Sequence, residues 1–178
     1  MASSSYREKV DRERTEQIRA ICRELPQACG DFLRHIVLTT GTLTRLAYAI
    51  DLRTFFQFLN EERMFFSQKK PVMYTEDDLA KLTTRDLVAY TEYLTQYVRR
   101  DSLESETPQM TANHELSIKR KLCSVRAFYD YLFQEQLIPS NVTLLLPLPK
   151  IHEKPIIRMS REEVSKMLHE AETGDSLT

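Results

Sequence analysis

Lys119, Arg120, Lys121 and Ser124 crowd into one stretch, NHELSIKRKLCSVRAFYDYLFQE, running from Asn113 to Glu135. Ammonium, guanidinium and hydroxyl groups are the donors from which phosphate contacts are built. Thr42, Thr44 and Arg45 form a second set at an expected helix start, where the helix dipole also favours an anion. Each set has a plainer alternative. For the basic cluster it is a solvated face paired with Glu115 along its own helix, and for the threonines an ordinary N-cap. The four histidines, His35, His114, His152 and His169, are scattered, and no pair has metal-ligand spacing with a nearby acid or thiol. No metal is expected. No glycine-rich phosphate loop and no Ser/His/Asp arrangement is visible, and no small-molecule cofactor is expected.

The elements that must hold these groups read as helices. Ile118, Leu122, Val125, Tyr129 and Leu132 recur at steps of four and three, the spacing of one buried stripe. Lys119, Arg120, Lys121, Ser124 and Arg126 fall mostly off that stripe. From Thr42 to Glu62, Tyr48, Leu52, Phe55, Phe56 and Leu59 form a main stripe, with Leu43, Leu46 and Ile50 as a second apolar line roughly opposite. A helix apolar on two sides is covered on two sides. The expected cover for the second line is an N-terminal helix over Tyr6 to Leu25, stopped by Pro26. A partner protein is the other option. A short helix is expected over Gln27 to Leu38. Thr75 with Asp78 and Thr83 with Asp86 read as capping boxes, the second opening a helix through Leu87, Tyr90, Leu94 and Val98. Arg99 to Thr111 is polar, carries Pro108 and is expected to be a mobile loop. Pro139, Pro147 and Pro149 suit an extended exit, Lys150 to Arg158 a linker, and Ser160 with Glu163 another helix start. The chain is expected to break off early in a second domain.

Composition describes a globular chain, with 42% hydrophobic and 29% charged residues. The three glycines and the lack of strictly alternating β-branched runs favour helix. A net charge of −1 argues, taken alone, against nucleic acid. The charge is unevenly spread, however: acidic at Glu76 to Asp78 and Asp101 to Glu106, basic at Lys119 to Arg126 and Lys150 to Arg161. A neutral sum can conceal a basic face. Three cysteines without short metal-type spacing suggest reduced thiols. No apolar run reaches the length of a membrane span and no signal peptide is visible, so a cytoplasmic protein is expected.

Four stretches, taken together and in order, resemble one family. TLTRLAYAIDLRTFFQFL looks like the first core-binding helix of tyrosine-type site-specific recombinases, the phage-integrase and Xer-like family. The matching residues are Thr42 and Thr44 near the helix start, then Tyr48, Asp51-Leu52, Phe55 and Phe58-Leu59. DDLAKLTTRDLVAYTEYL resembles the next helix. SIKRKLCSVRAFYDYLFQEQLIPSN resembles the closing helix through Arg120, Lys121, Leu122, Ser124, Arg126, Phe128, Tyr131 and Leu132. LPKIHEKPIIRMSREEVSKML is similar to the linker and first helix of that family's catalytic domain. Two features depart from the pattern. Asn141 is followed by Val142 where the family often has proline, and the N-terminal helix lies outside the usual core-binding unit.

The resemblance implies an all-α chain: a small orthogonal helix bundle (a SAM-like core-binding domain) with an extra N-terminal helix and a C-terminal linker and helix. The implied division is an N-terminal extension over 1–26, the core-binding domain over 27–148, and over 149–178 the linker and first helix of a truncated catalytic domain. It implies double-stranded DNA and other recombinase protomers as partners, with Thr42, Thr44, Arg45, Lys119, Arg120, Lys121 and Ser124 contacting DNA. The family's nucleophilic tyrosine and its assisting arginines, lysine and His/Trp residues lie beyond the linker. This stretch is then no enzyme by itself, while the longer protein would cleave and rejoin DNA through a phosphotyrosyl intermediate. None of the eight tyrosines fits the nucleophile's context, and Tyr48, Tyr90 and Tyr129 are expected in the core. The competing reading is a helical protein–protein interaction module with no DNA role, favoured by the acidic pI and the second apolar line.

Overall fold

The structure, a computed structural model, describes residues 2–99, 109–148 and 160–173. In chain order the α-helices are α1 (Ala2–Cys22), α2 (Gln27–His35), α3 (Thr42–Glu62), α4 (Glu76–Leu79), α5 (Thr84–Tyr93), α6 (Glu115–Gln134) and α7 (Arg161–Thr173). One hairpin, β1 (Gln96–Arg99) with β2 (Gln109–Ala112), interrupts them. The chain is all-α in class, as its composition and spacing imply. The expected linker over Lys150 to Arg158 lies outside the described residues.

Apolar spacing explains the packing. Leu52, Phe55, Phe56 and Leu59 of α3 and Ile118, Leu122, Val125, Tyr129 and Leu132 of α6 are all buried. Their aromatic rings interlock with neighbouring helices. Phe32 of α2 meets Phe128 with ring centroids 5.7 Å apart, and Tyr90 of α5 meets Phe55 at 5.1 Å, both edge to face. The Tyr129 hydroxyl donates to the Leu79 carbonyl at 3.1 Å, which fastens α4 to α6. Full burial pushes the Tyr90 and Tyr129 hydroxyls well above the usual tyrosine range. Both are protonated core residues.

α1 packs along α3 and sends Ile18 and Ile21 into the same core. Leu46 and Ile50 are partly buried against that core, whereas Leu43 stays 61% exposed. The second apolar line is thus covered at two of its three positions.

Both capping boxes form. Thr75 and Thr83 each accept from the backbone N–H three residues on, and Asp78 and Asp86 reach back to the N-cap. Ser160 and Glu163 make the same exchange at the start of α7. The expected helix through Val98 ends early, at Tyr93, and Val98 belongs to β1. Thr95, Tyr97 and Val98 favour extended backbone, and Tyr97 is buried with its ring 5.3 Å from that of Tyr93. The expected mobile loop is therefore partly a strand pair, with Gln96 opposite Ala112 and Arg99 opposite Gln109. Its remainder, 100–108, lies outside the described residues.

α6 ends in a Schellman motif. The Leu137 N–H donates to the Leu132 carbonyl at 2.9 Å and the Gln136 N–H to the Phe133 carbonyl at 3.1 Å. Gln136 itself takes φ 58°, a conformation that disfavours any side chain. Gln136→Gly is expected to stabilise the chain by roughly 0.5–1 kcal/mol, read as a raised denaturant midpoint. A second expectation concerns pH. Burial raises the Asp78 carboxyl, but Lys69 and the Thr75 cap outweigh it and leave Asp78 below the usual carboxylate range. A depressed folded-state value stabilises above the unfolded value, near 3.9, and that contribution is lost as pH falls through the folded one. Asp78→Asn should flatten the acid limb of the stability curve, measured by thermal unfolding between neutral and strongly acid pH.

Candidate nucleic-acid interface

α3 and α6 are joined through a buried carboxylate. Asp51 of α3 is fully buried. Its Oδ2 accepts from Arg120 Nη1 at 2.5 Å and from the Ser124 hydroxyl at 2.7 Å, while Oδ1 lies 3.3 Å from Lys121 Nζ. An isolated buried carboxylate is costly, and three donors are the means by which this one is retained. Two cations against one anion leave the node with a net positive charge. The Lys121 side chain is 8% exposed but that of Arg120 is 48% exposed, so the excess charge faces solvent at Arg120.

The two helices meet along their central turns. Asp51 meets Arg120 to Ser124, and further along Phe55 meets Tyr129 and Phe56 meets Phe128. α6 crosses α3 here, with its N-terminal end toward α5, where the Asn113 side chain donates to the Leu94 carbonyl at 2.7 Å, and its last turns toward α2, where the Tyr131 ring lies 5.0 Å from that of His35. Neither N-terminus has a side-chain cap: Gly41 and His114 occupy the N-cap positions, and no side chain bonds there. No N-cap side chain serves the first N–H groups of either helix, and the dipole of each favours an anion at its own N-terminus. Thr44 is exposed and precedes Asp51 by two turns on the same face of α3.

The structure divides the seven residues singled out from the sequence. Lys119 is half-buried, and Arg120 and Thr44 are exposed. Arg45 is partly buried, its Nε donating to the Leu33 carbonyl at 3.1 Å. The Thr42 hydroxyl donates to Asp11 of α1, and neither threonine is an N-cap, because Gly41 holds that place. Lys121 and Ser124 turn inward and bind Asp51. Arg126, also in the basic run, donates to the carbonyls of Thr143 and Leu146 at 3.2 and 2.8 Å and ties the exit segment to α6.

Asp51 itself was not among the candidates, although a signal for it existed. It stands three residues after Tyr48 and four before Phe55, on the buried stripe of α3. Lys121 stands three after Ile118 and four before Val125 on α6. An acid and a base, each on an apolar stripe, point to a mutual buried pair. Among the described residues no helix is long and apolar enough to cross a membrane, and no group of three metal-ligating side chains gathers. Asp51→Ala, which leaves Lys121 buried without its counter-charge, should cost about 3–5 kcal/mol of stability in denaturant unfolding. A cost below about 1 kcal/mol would show that the node does not hold the helices together.

No family model and no solved structure matches the chain. Curated proteins do. The tyrosine recombinase XerC of Caldanaerobacter subterraneus is 31% identical over 155 residues, covering 81% of this chain and 40% of the relative. The tyrosine recombinase XerC of Leptospira interrogans is 31% identical over 134 residues, covering 74% of this chain and 31% of the relative, in each of two strains. The chain thus spans well under half the length of these relatives. The four stretches in order, the all-α bundle and these relatives together place the chain in the tyrosine recombinase family.

Proposed function

We propose that this chain is the DNA-gripping N-terminal part of a tyrosine recombinase, holding one half-site of a recombination target. The observation that carries the reading is the charge left over where α3 meets α6. The half-exposed Arg120 guanidinium carries it, and a buried carboxylate holds that group in place. Thr44 and Asp51 are about 10 Å apart along α3, so Thr44 and Arg120 fit within a single turn of duplex, about 34 Å. In this reading Thr42, Thr44, Arg45, Lys119 and Arg120 bind phosphates, and Lys121 and Ser124 act behind them by fixing Asp51. Such contacts set affinity and register without reading sequence.

The bundle over 27–148 would be the core-binding unit, 1–26 an added helix, and 149–178 the linker and first helix of the catalytic domain. The longer protein would act in the cytoplasm with other protomers, cutting and rejoining strands through a tyrosine that is not in this stretch. One observation favours a second reading, a protein-interaction module: Val37, Leu38 and Leu43 are exposed within one short stretch of chain, Leu38 at 95%.

Titration of the chain into labelled duplex at several salt concentrations separates the two. Log affinity should fall linearly with log salt, and Lys119→Ala with Arg120→Ala should reduce the slope by about 1.8, roughly 0.9 per phosphate contact. The loss should be similar for unrelated duplexes. Arg120→Ala removes one donor to Asp51, so binding is measured below the unfolding midpoint of the doubly substituted chain, and Lys119→Ala alone should lower the slope by about 0.9 with thermal unfolding intact. Binding that is absent, or untouched by the pair, would move the assignment to the interaction module.

A further inference from the structure

α1 is no part of the α3–α6 contact, yet it brings charge to the first turn of α3. Arg19 of α1, Arg23 just after that helix, Arg34 of α2 and Arg45 of α3 line one open cleft, and no carboxylate is among its lining residues. Two of the four guanidinium groups are pinned: Arg34 by Asp31 and Arg45 by the Leu33 carbonyl. Cys22 also lines the cleft. Burial pushes its thiol up, while Arg34 and Arg45 pull the other way, so both guanidinium groups stand close to it. Like charges gathered in one cleft repel each other, and an anion relieves that repulsion. Cations spread over three helices match a run of phosphates better than a single ion. Arg45 also belongs to the first turn of α3, so the cleft reaches the turn that carries Thr42 and Thr44.

We propose that the α1–α2–α3 cleft is a second phosphate-binding site, occupied by the DNA backbone just beyond the segment held by α3 and α6. The proposal rests on the DNA reading above. It gives α1 a role as an extension of the grip. Free polyphosphate offers the same chemistry, and the test distinguishes the two sources.

Arg19 and Arg23 are exposed, so Arg19→Ala with Arg23→Ala should leave thermal unfolding unchanged. The pair should lower the salt slope of duplex binding by about 1.8, and Arg19→Lys with Arg23→Lys should restore it. In parallel, alkylation of Cys22 is followed by peptide mass spectrometry, with exposed Cys123 as the internal reference. Duplex should protect Cys22 several-fold, and the Ala pair should abolish that protection. An unchanged slope in a chain whose binding still responds to Lys119→Ala with Arg120→Ala overturns the cleft and leaves the main reading standing. Protection of Cys22 by inorganic triphosphate but not by duplex overturns the DNA assignment of the cleft. Loss of all duplex binding by the unaltered chain removes both readings.

Discussion

The bundle depends on a buried anion that two helices must satisfy together. Asp51 sits at the centre of α3, on the face that would otherwise be wholly apolar, and its hydrogen-bond partners all come from α6. Hydrophobic burial alone would let two such helices slide by a turn or rotate, since dispersion and area terms are non-directional. A carboxylate that requires Arg120, Lys121 and Ser124 around it permits one register. That register sets Phe55 against Tyr129 and Phe56 against Phe128. A buried ion pair is weak evidence for added stability and better evidence for specificity of arrangement.

The same node couples the core to the surface. Two cations on one anion leave a positive charge that the interior cannot hold, and it emerges at Arg120. A long exposed arginine normally samples many rotamers and loses that freedom on binding. Held at Asp51, Arg120 has lost part of it already, which is how a packing interaction can prepare a binding group. Around this centre the smaller elements are fastened by polar contacts as well as by the burial of Leu79 and Leu146. Tyr129 holds α4, Arg126 holds the exit segment, and Asn141 accepts from the Thr143 N–H at 3.0 Å to start the turn over Val142–Leu145. The last of these forms without the proline that the family often places after Asn141.

Much of the fold was legible in the sequence because its signals are local. The range of α3 is the one expected, and three capping boxes form where Thr75, Thr83 and Ser160 announce them. Capping and apolar periodicity act within a turn or two, so the residues that decide them are neighbours in the chain. The hairpin was not legible, because strand pairing across 100–108 depends on residues distant in sequence. The burial of Tyr97 against Tyr93 outweighs continuation of the helix.

The candidate site shows the same division at the level of single side chains. The sequence determined which chemistry is present: cations and hydroxyls on α6, hydroxyls and an arginine at the start of α3, and an order of motifs that marks the family. Only the tertiary structure decided which of those groups face outward. Lys121 and Ser124 share a run with Lys119 and Arg120, yet they turn inward because α3 presents Asp51 at that level. A lysine's amphipathic stem can follow either course, and the choice rests on a charge seventy residues away in the chain. Spacing along one helix specifies a face, but what that face meets is specified by the helix packed against it.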